Sequence, residues 1–252
     1  MSQLVLSETR NGILTLTLNR PERHNSLVPE LLRDLLDALD WREPPELRAA
    51  ILQANGRSFS TGGDVQAFCD HWDDIAAYAN QVVGLLNQVI LALIALPVPI
   101  VTAVHGIVTG GSLGFVLASD IVLVAPEASF TPYYAVVGYS PDGGWTAMLP
   151  SVIGHQRAAE ILALNRTITA EQAVAWGIAN RIVPADQIRD AARATAEAIA
   201  RHKPGSVWRT KPLLWGDIGQ IARRLDAERQ QFVEHIVSAE ARAGMAAFLG
   251  RG

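Results

Sequence analysis

Residues Arg57–Asp64 read Arg-Ser-Phe-Ser-Thr-Gly-Gly-Asp and follow a short apolar run, Ala49 to Gln53. A second stretch, His105 to Gly114, reads His-Gly-Ile-Val-Thr-Gly-Gly-Ser-Leu-Gly and follows the apolar run Ile100 to Val104. Each places glycines where a strand should turn into a helix. A helix start leaves backbone N–H groups without intrahelical partners, and glycine lets another molecule approach that bare backbone. Two such turns facing one point would clamp a carbonyl oxygen as it becomes an oxyanion. One Gly-Gly after a strand is an ordinary turn; the pair, with its flanks, points further.

Four ordered segments carry a resemblance. Leu16 to Leu27 (Leu-Thr-Leu-Asn-Arg-Pro-Glu-Arg-His-Asn-Ser-Leu), Arg57 to Asp64, Ala103 to Asp120 and Thr169 to Val183 are similar to the signature segments of the crotonase, or enoyl-CoA hydratase/isomerase, superfamily. The resemblance runs from about Leu4 to Leu249. It implies an α/β fold: a crotonase-like ββα spiral core over residues 1–195, then a C-terminal helical trimerisation region over residues 196–252. It further implies a homotrimer or a dimer of trimers.

The patterns read directly from the chain agree with an α/β class. Leu4 to Ser7 and Ile13 to Leu18 flank Arg10-Asn11-Gly12, a hairpin signal. Pro29 to Trp41 has leucines at helical spacing, and Ile75 to Leu96 reads as a long helix. Gly110 to Ser119 reads as a buried helix and Ile121 to Ala125 as a strand. Alternating strands and helices predict parallel pairing. After Pro150 the signals are helical: Gly154 to Leu164, Ala170 to Gly177, Ala185 to His202, Val207 to Trp215, and Ile218 to Phe248 with a break near Ser238. Gly177 fits a helix C-cap.

Composition bounds the function. The chain has 252 residues, a formal charge of −4 and one cysteine, Cys69. The acidic balance argues against a nucleic-acid surface, and one cysteine makes no internal disulfide. The longest apolar run, Val89 to Val104, is broken by Pro97 and Pro99, so it reads as a helix end, a turn and a strand, with no membrane partner. The first residues lack a basic segment followed by a long apolar one, and the expected location is cytoplasmic. The six histidines show no paired ligand spacing, so no metal is expected.

The resemblance implies that the N–H groups of Gly63 and Gly111 hold a thioester enolate. It also implies that Arg23, His24, Ser26, Gly63, Asp64, Val65 and Gln66 frame a coenzyme A pocket, the substrate being a CoA thioester with no tightly bound cofactor. Hydratases of the family carry two glutamates; this chain has Gly114 at the first position and Tyr134 at the second. One acid stands nearby, Asp142, in Ser-Pro-Asp-Gly-Gly-Trp. Its spacing is that of an N-cap. In several branches of the family the same position carries the working carboxylate, enough for a 1,3-proton shift. The expected function is therefore a double-bond or ring isomerase with Asp142 as proton shuttle. The alternatives are a 2-enoyl-CoA hydratase and a non-catalytic acyl-CoA-binding homologue. A dehalogenase-like branch places a histidine where this chain has Asn87. Tyr133, Tyr134 and Tyr139 are pocket-wall or hydrogen-bonding candidates, Tyr134 foremost. Trp145 is expected against the acyl chain or the core. Lys211 is read either as a ligand for a CoA phosphate or as a solvated surface lysine.

Overall fold

The computed structural model describes residues 3–40 and 46–251. Strands β1 (Val5–Arg10) and β2 (Ile13–Leu18) pair antiparallel across Asn11 and Gly12. Both turn residues are left-handed, φ 52° and 74°, which matches the twist of a two-residue hairpin. Helix α1 (Pro29–Leu39) starts on a proline and buries Leu31, Leu32, Leu35 and Leu39. Trp41, where the sequence pattern ends this helix, lies outside the described residues. Strand β3 (Ala49–Ala54) then pairs parallel with β2, Ile13 opposite Ala49.

Helix α2 (Val65–Asp70) follows the first glycine turn and is capped by the Asp64 side chain, which accepts the Ala67 N–H. Helix α3 (Ile75–Ala95) is long and apolar enough to cross a membrane, but eleven of its residues are buried, against α1 and the C-terminal helices. Strand β4 (Ile100–Val104) extends the parallel sheet, and β5 (Ile107–Thr109) leads into the second glycine turn. The helix expected over Gly110 to Ser119 is two pieces, a 3-10 turn at Gly110–Ser112 and α4 (Leu113–Leu117). Gly110 has φ 51°, outside helical space, and the Ser112 hydroxyl bonds back to the carbonyls of Thr109 and Ser60. Strands β6 (Ile121–Val124) and β7 (Ser129–Thr131) precede the short α5 (Tyr134–Val137).

Beyond it come α6 (Leu149–Ile153), α7 (His155–Leu164), β8 (Ile168–Thr169), α8 (Ala170–Ala175) and β9 (Arg181–Ile182). Thr169 and Gln172 form a capping box at the start of α8, and Gly177, at φ 85°, follows its end. Helices α9 (Ile188–Ala200), α10 (Pro204–Trp215), α11 (Ile218–Ile236) and α12 (Ala239–Phe248) complete the chain. The break between the last two falls at Ser238, which caps α12 through the Ala241 N–H.

A six-stranded sheet has the order β1-β2-β3-β4-β6-β9, and a small sheet has the order β5-β7-β8. On one face of the large sheet Ile188, Ala192 and Ala196 of α9 pack on Ile13, Ile51, Val101 and Leu123. The main core on the other side gathers α1, α3 and α4, and also takes in Leu225, Phe232, Ile236 and Met245 from the last two helices. The fold is α/β, with a helical C-terminal region packed onto the main core.

Candidate active site

The two glycine turns are stitched together before any ligand is considered. Phe59 donates to the His105 carbonyl, Ser60 to Ile107, and Thr109 back to Ser60, at 3.0, 3.1 and 3.1 Å. Gly62 lies so close to the second turn that a β-carbon there would stand 2.5 Å from the Thr109 carbonyl oxygen. Gly63 and Gly111, one from each turn, line one pocket of about 500 Å³. The two turns that the sequence reading paired thus meet at one pocket.

All of the other predicted site residues line the same pocket: Arg23, His24, Ser26, Asp64, Val65, Gln66, Tyr134 and Asp142. The outer group is organised by Asp64, which accepts from Arg20, Arg23 and Ser26. Burial pushes the Asp64 carboxyl up, but the Arg20 and Arg23 bonds outweigh it and hold it below the usual carboxylate range. Asp64 is therefore a buried anchor that fixes two arginines at one wall. The inner wall is apolar and aromatic. Phe68, Tyr139 and Phe232 meet ring to ring with centroids 5.2–5.9 Å apart, joined by Val82 and Leu86 of α3 and by Phe248 and Leu249 from the end of the chain.

Asp142 is buried, 6% exposed. It does not cap a helix, contrary to the capping alternative: residues 143–148 form turns and the next helix starts at Leu149. Its carboxyl instead faces Gly111, with Oδ1 and Oδ2 standing 3.0 and 3.2 Å from where a β-carbon of Gly111 would be. Tyr134 donates its hydroxyl to Asp142 Oδ1 at 2.5 Å and lies 3.0 Å from the Asp142 carbonyl. Among the described residues Oδ2 accepts no hydrogen bond. Burial raises the Asp142 carboxyl to about 7, the Tyr134 bond opposing and the charge of Glu228 assisting. Burial, then the adjacent Asp142, pushes the Tyr134 phenol well above its ordinary value, so Tyr134 is a donor and not a base near neutral pH.

Of the three acids that line the pocket, Glu22 is exposed and Asp64 is tied to arginines, which leaves Asp142 as the inner carboxyl. The family's first glutamate position has no room for one. A β-carbon on Gly114 would stand 2.8 Å from the Gly143 carbonyl oxygen and 2.9 Å from Ile90 Cγ1. The turn that brings in Asp142 occupies the space that a side chain at 114 would need.

Trp145 is fully buried in the core and donates to the Gly110 carbonyl at 2.8 Å, tying the Asp142 turn to the second glycine turn. Tyr133 and Tyr139 both line the pocket. Asn87 is buried and donates to the Leu225 carbonyl. Cys69 is half-buried beside Met245. Lys211 corrects both readings that the sequence allowed. It is 3% exposed, and its ammonium donates to the Leu93 and Val98 carbonyls and pairs with Asp120 at 2.9 Å. It reaches neither a phosphate nor solvent, because α10 lays it over the end of α3. The sequence reading missed Glu228, a buried acid of α11. Its signal was available: Leu225, Glu228, Phe232 and Ile236 share one helical stripe, with a carboxylate among apolar residues.

Comparison with known proteins matches residues 8–252 to the family described as enoyl-CoA hydratase/isomerase. The 1,2-epoxyphenylacetyl-CoA isomerase of Escherichia coli K12 is 31% identical over 254 residues, covering 100% of this chain and 97% of its own. The trans-2-decenoyl-acyl-carrier-protein isomerase of Streptococcus mutans is 30% identical, covering 81% of this chain and 77% of its own. The crystal structure of an enoyl-CoA hydratase from Bacillus halodurans superposes with a TM-score of 0.90 at 26% identity, covering 97% of this chain and 99% of that one. The chain belongs to the enoyl-CoA hydratase/isomerase family, within the crotonase superfamily, and is an acyl-CoA-processing enzyme of that family.

Proposed function

We propose that this enzyme is an isomerase that shifts a double bond, or rearranges a ring, in an acyl-CoA thioester through its enolate. The observation that carries the reading is the solitary inner carboxyl: Asp142 faces Gly111, while position 114 has no room for a second acid and position 134 holds a tyrosine. Addition of water to a 2-enoyl thioester calls for water orientation and proton delivery, and two carboxyls share that work in the family's hydratases. A 1,3-shift needs one group that carries one proton.

The chemistry runs on this chain's own groups. The substrate carbonyl oxygen sits between the N–H groups of Gly63 and Gly111. Asp142 takes a proton from carbon 2 of a 3-enoyl thioester, and the C–H electron pair moves into the enolate. The two donors hold the developing oxyanion, each contributing roughly 3 kcal/mol by analogy with a measured donor. The neutral Asp142 then returns the proton to carbon 4, leaving the 2-enoyl ester. A carboxyl near 7 suits both halves of this exchange. The CoA moiety is held at the wall of Arg23, His24, Ser26 and Gln66. Leu213 and Leu214, 83% and 78% exposed on α10, provide apolar surface for a homotrimer or a dimer of trimers.

The test is turnover of a 3-enoyl-CoA and a 2-enoyl-CoA side by side, wild type against Asp142→Asn. Conversion of the 3-enoyl ester, lost in the variant, is the expected result. Hydration of the 2-enoyl ester untouched by the substitution overturns the reading. Tight CoA-ester binding without turnover of any ester would make the protein a non-catalytic homologue.

A further inference from the structure

The turn after Asp142 presents several backbone N–H groups, of which an aspartate at its start would ordinarily accept the one two or three residues on. They go elsewhere. Glu228 of α11 accepts the Gly144 N–H on Oε2 at 2.8 Å. Its Oε1 accepts the Thr146 N–H, the Thr146 hydroxyl and the Ala147 N–H at 2.7, 2.7 and 2.8 Å. Arg224, one turn earlier on the same helix, donates to the Thr146 carbonyl at 2.7 Å. Glu228 is 5% exposed, and among the described residues no cation pairs with it. A buried carboxylate balanced only by N–H and O–H donors is a costly arrangement, and it occurs one turn away from the acid of the site.

We propose that Glu228 is a positioning residue for Asp142: it holds the Asp142–Ala147 turn so that the Asp142 carboxyl stays aimed at Gly111, and it places a second negative charge behind that carboxyl. This rests on the isomerase reading of Asp142. With Glu228 in place, the Gly144, Thr146 and Ala147 N–H groups are satisfied and do not draw the Asp142 carboxyl away from the pocket. The groups facing Asp142 are Tyr134 of α5, Tyr139 beyond it, and Glu228; α3 contributes the uncharged Leu86, and the Gly111 turn carries no charge. Glu228 in turn faces the turn's donors and Tyr134, with Arg224 beside it on α11. A like charge close to a carboxylate strengthens it as a base, and proton abstraction from carbon gains from a stronger base.

The experiment is the pH profile of kcat and KM for 3-hexenoyl-CoA isomerisation in wild type, Glu228→Gln and Asp142→Asn. Glutamine removes the charge and presents an NH2 group where one acceptor stood. The expected result is an unchanged KM, a kcat lower by about tenfold and an acid limb moved to lower pH, because Asp142 ionises more easily without the neighbouring charge. A limb that stays at the wild-type pH overturns the proposal, whatever happens to kcat, since a merely structural role would lower stability without moving it. Should Glu228→Gln fail to fold, Thr146→Val deletes one of the four bonds. A kcat reduced roughly threefold or more at unchanged KM then supports the proposal, and wild-type kcat overturns it. Wild-type turnover in Asp142→Asn removes the isomerase reading itself. Loss of turnover there, with an unmoved limb in Glu228→Gln, removes only the role of Glu228.

Discussion

Gly143 crosses directly over Gly111. A β-carbon on Gly143 would collide with the Gly111 Cα and carbonyl oxygen and stand 2.7 Å from its carbonyl carbon. Gly143 also has φ 60°, a conformation that other residues adopt at a cost. The acid-bearing turn and the second glycine turn are thus pressed backbone to backbone, and the distance from Asp142 to the pocket is set by that contact. Gly143→Ala is expected to cost about 2–4 kcal/mol of stability or to push the turn away. In the fraction that folds, turnover of the acyl-CoA substrate should drop by roughly a hundredfold. Urea denaturation and steady-state kinetics on one preparation check both.

Tyr134 contributes through its hydroxyl bond to Asp142, which opposes the rise that burial causes. Tyr134→Phe removes that opposition, so the Asp142 carboxyl rises further above about 7. The base form is then lost at a higher pH. The acid limb of kcat/KM should move to higher pH, and activity at pH 7 should fall by about three- to tenfold. An unmoved limb would separate Tyr134 from the ionisation of Asp142.

Asp142 also makes stability depend on pH. Its folded value, about 7, lies above its ordinary value of 3.8. Between those values the folded chain holds a proton that the unfolded chain has released, so stability falls as pH rises from about 4 to about 7. Asp142→Asn removes that loss. The variant should lack turnover yet melt about 10 °C higher than wild type at pH 8, with the gap closing near pH 4. Scanning calorimetry at both pH values checks it.

Lys211 is a structural cation, its ammonium lowered from the ordinary lysine range by burial and held up by Asp120. Lys211→Met leaves Asp120 with the Ile100 N–H and the Trp215 indole as its donors. The expected cost is about 3–5 kcal/mol, as for other broken buried pairs. KM for a CoA ester should not change in the folded fraction, and a large rise in KM would return Lys211 to the ligand.

What was legible in the sequence followed from local rules. Asn11-Gly12 fixed a hairpin because few other pairs accept two left-handed residues, and Ser238 marked a helix break through its own capping bond. The glycine turns and Asp142 stood out because their residue types and flanks match positions where the proposed chemistry needs bare N–H groups and one acid. The small sheet was not legible: Ile107–Thr109, Ser129–Thr131 and Ile168–Thr169 are too short to show a period of two. Asp142 was read as a possible cap because the acid that does the capping, Glu228, lies far along the chain. Lys211 was misplaced for the same reason, its partners being supplied by the end of α3 and by Asp120. Pairings made only by tertiary packing leave no trace in a local window.

Phe248 and Leu249 line the same pocket as Glu22 and Arg23. During synthesis Arg23 leaves the ribosome long before Phe248 does, and through that interval the chain has its hairpin and first helix but no chamber for an acyl group. The pocket is therefore complete only once Phe248 and Leu249 have joined it. A protease that trims α12 is expected to strip part of the pocket wall while sparing most of the core.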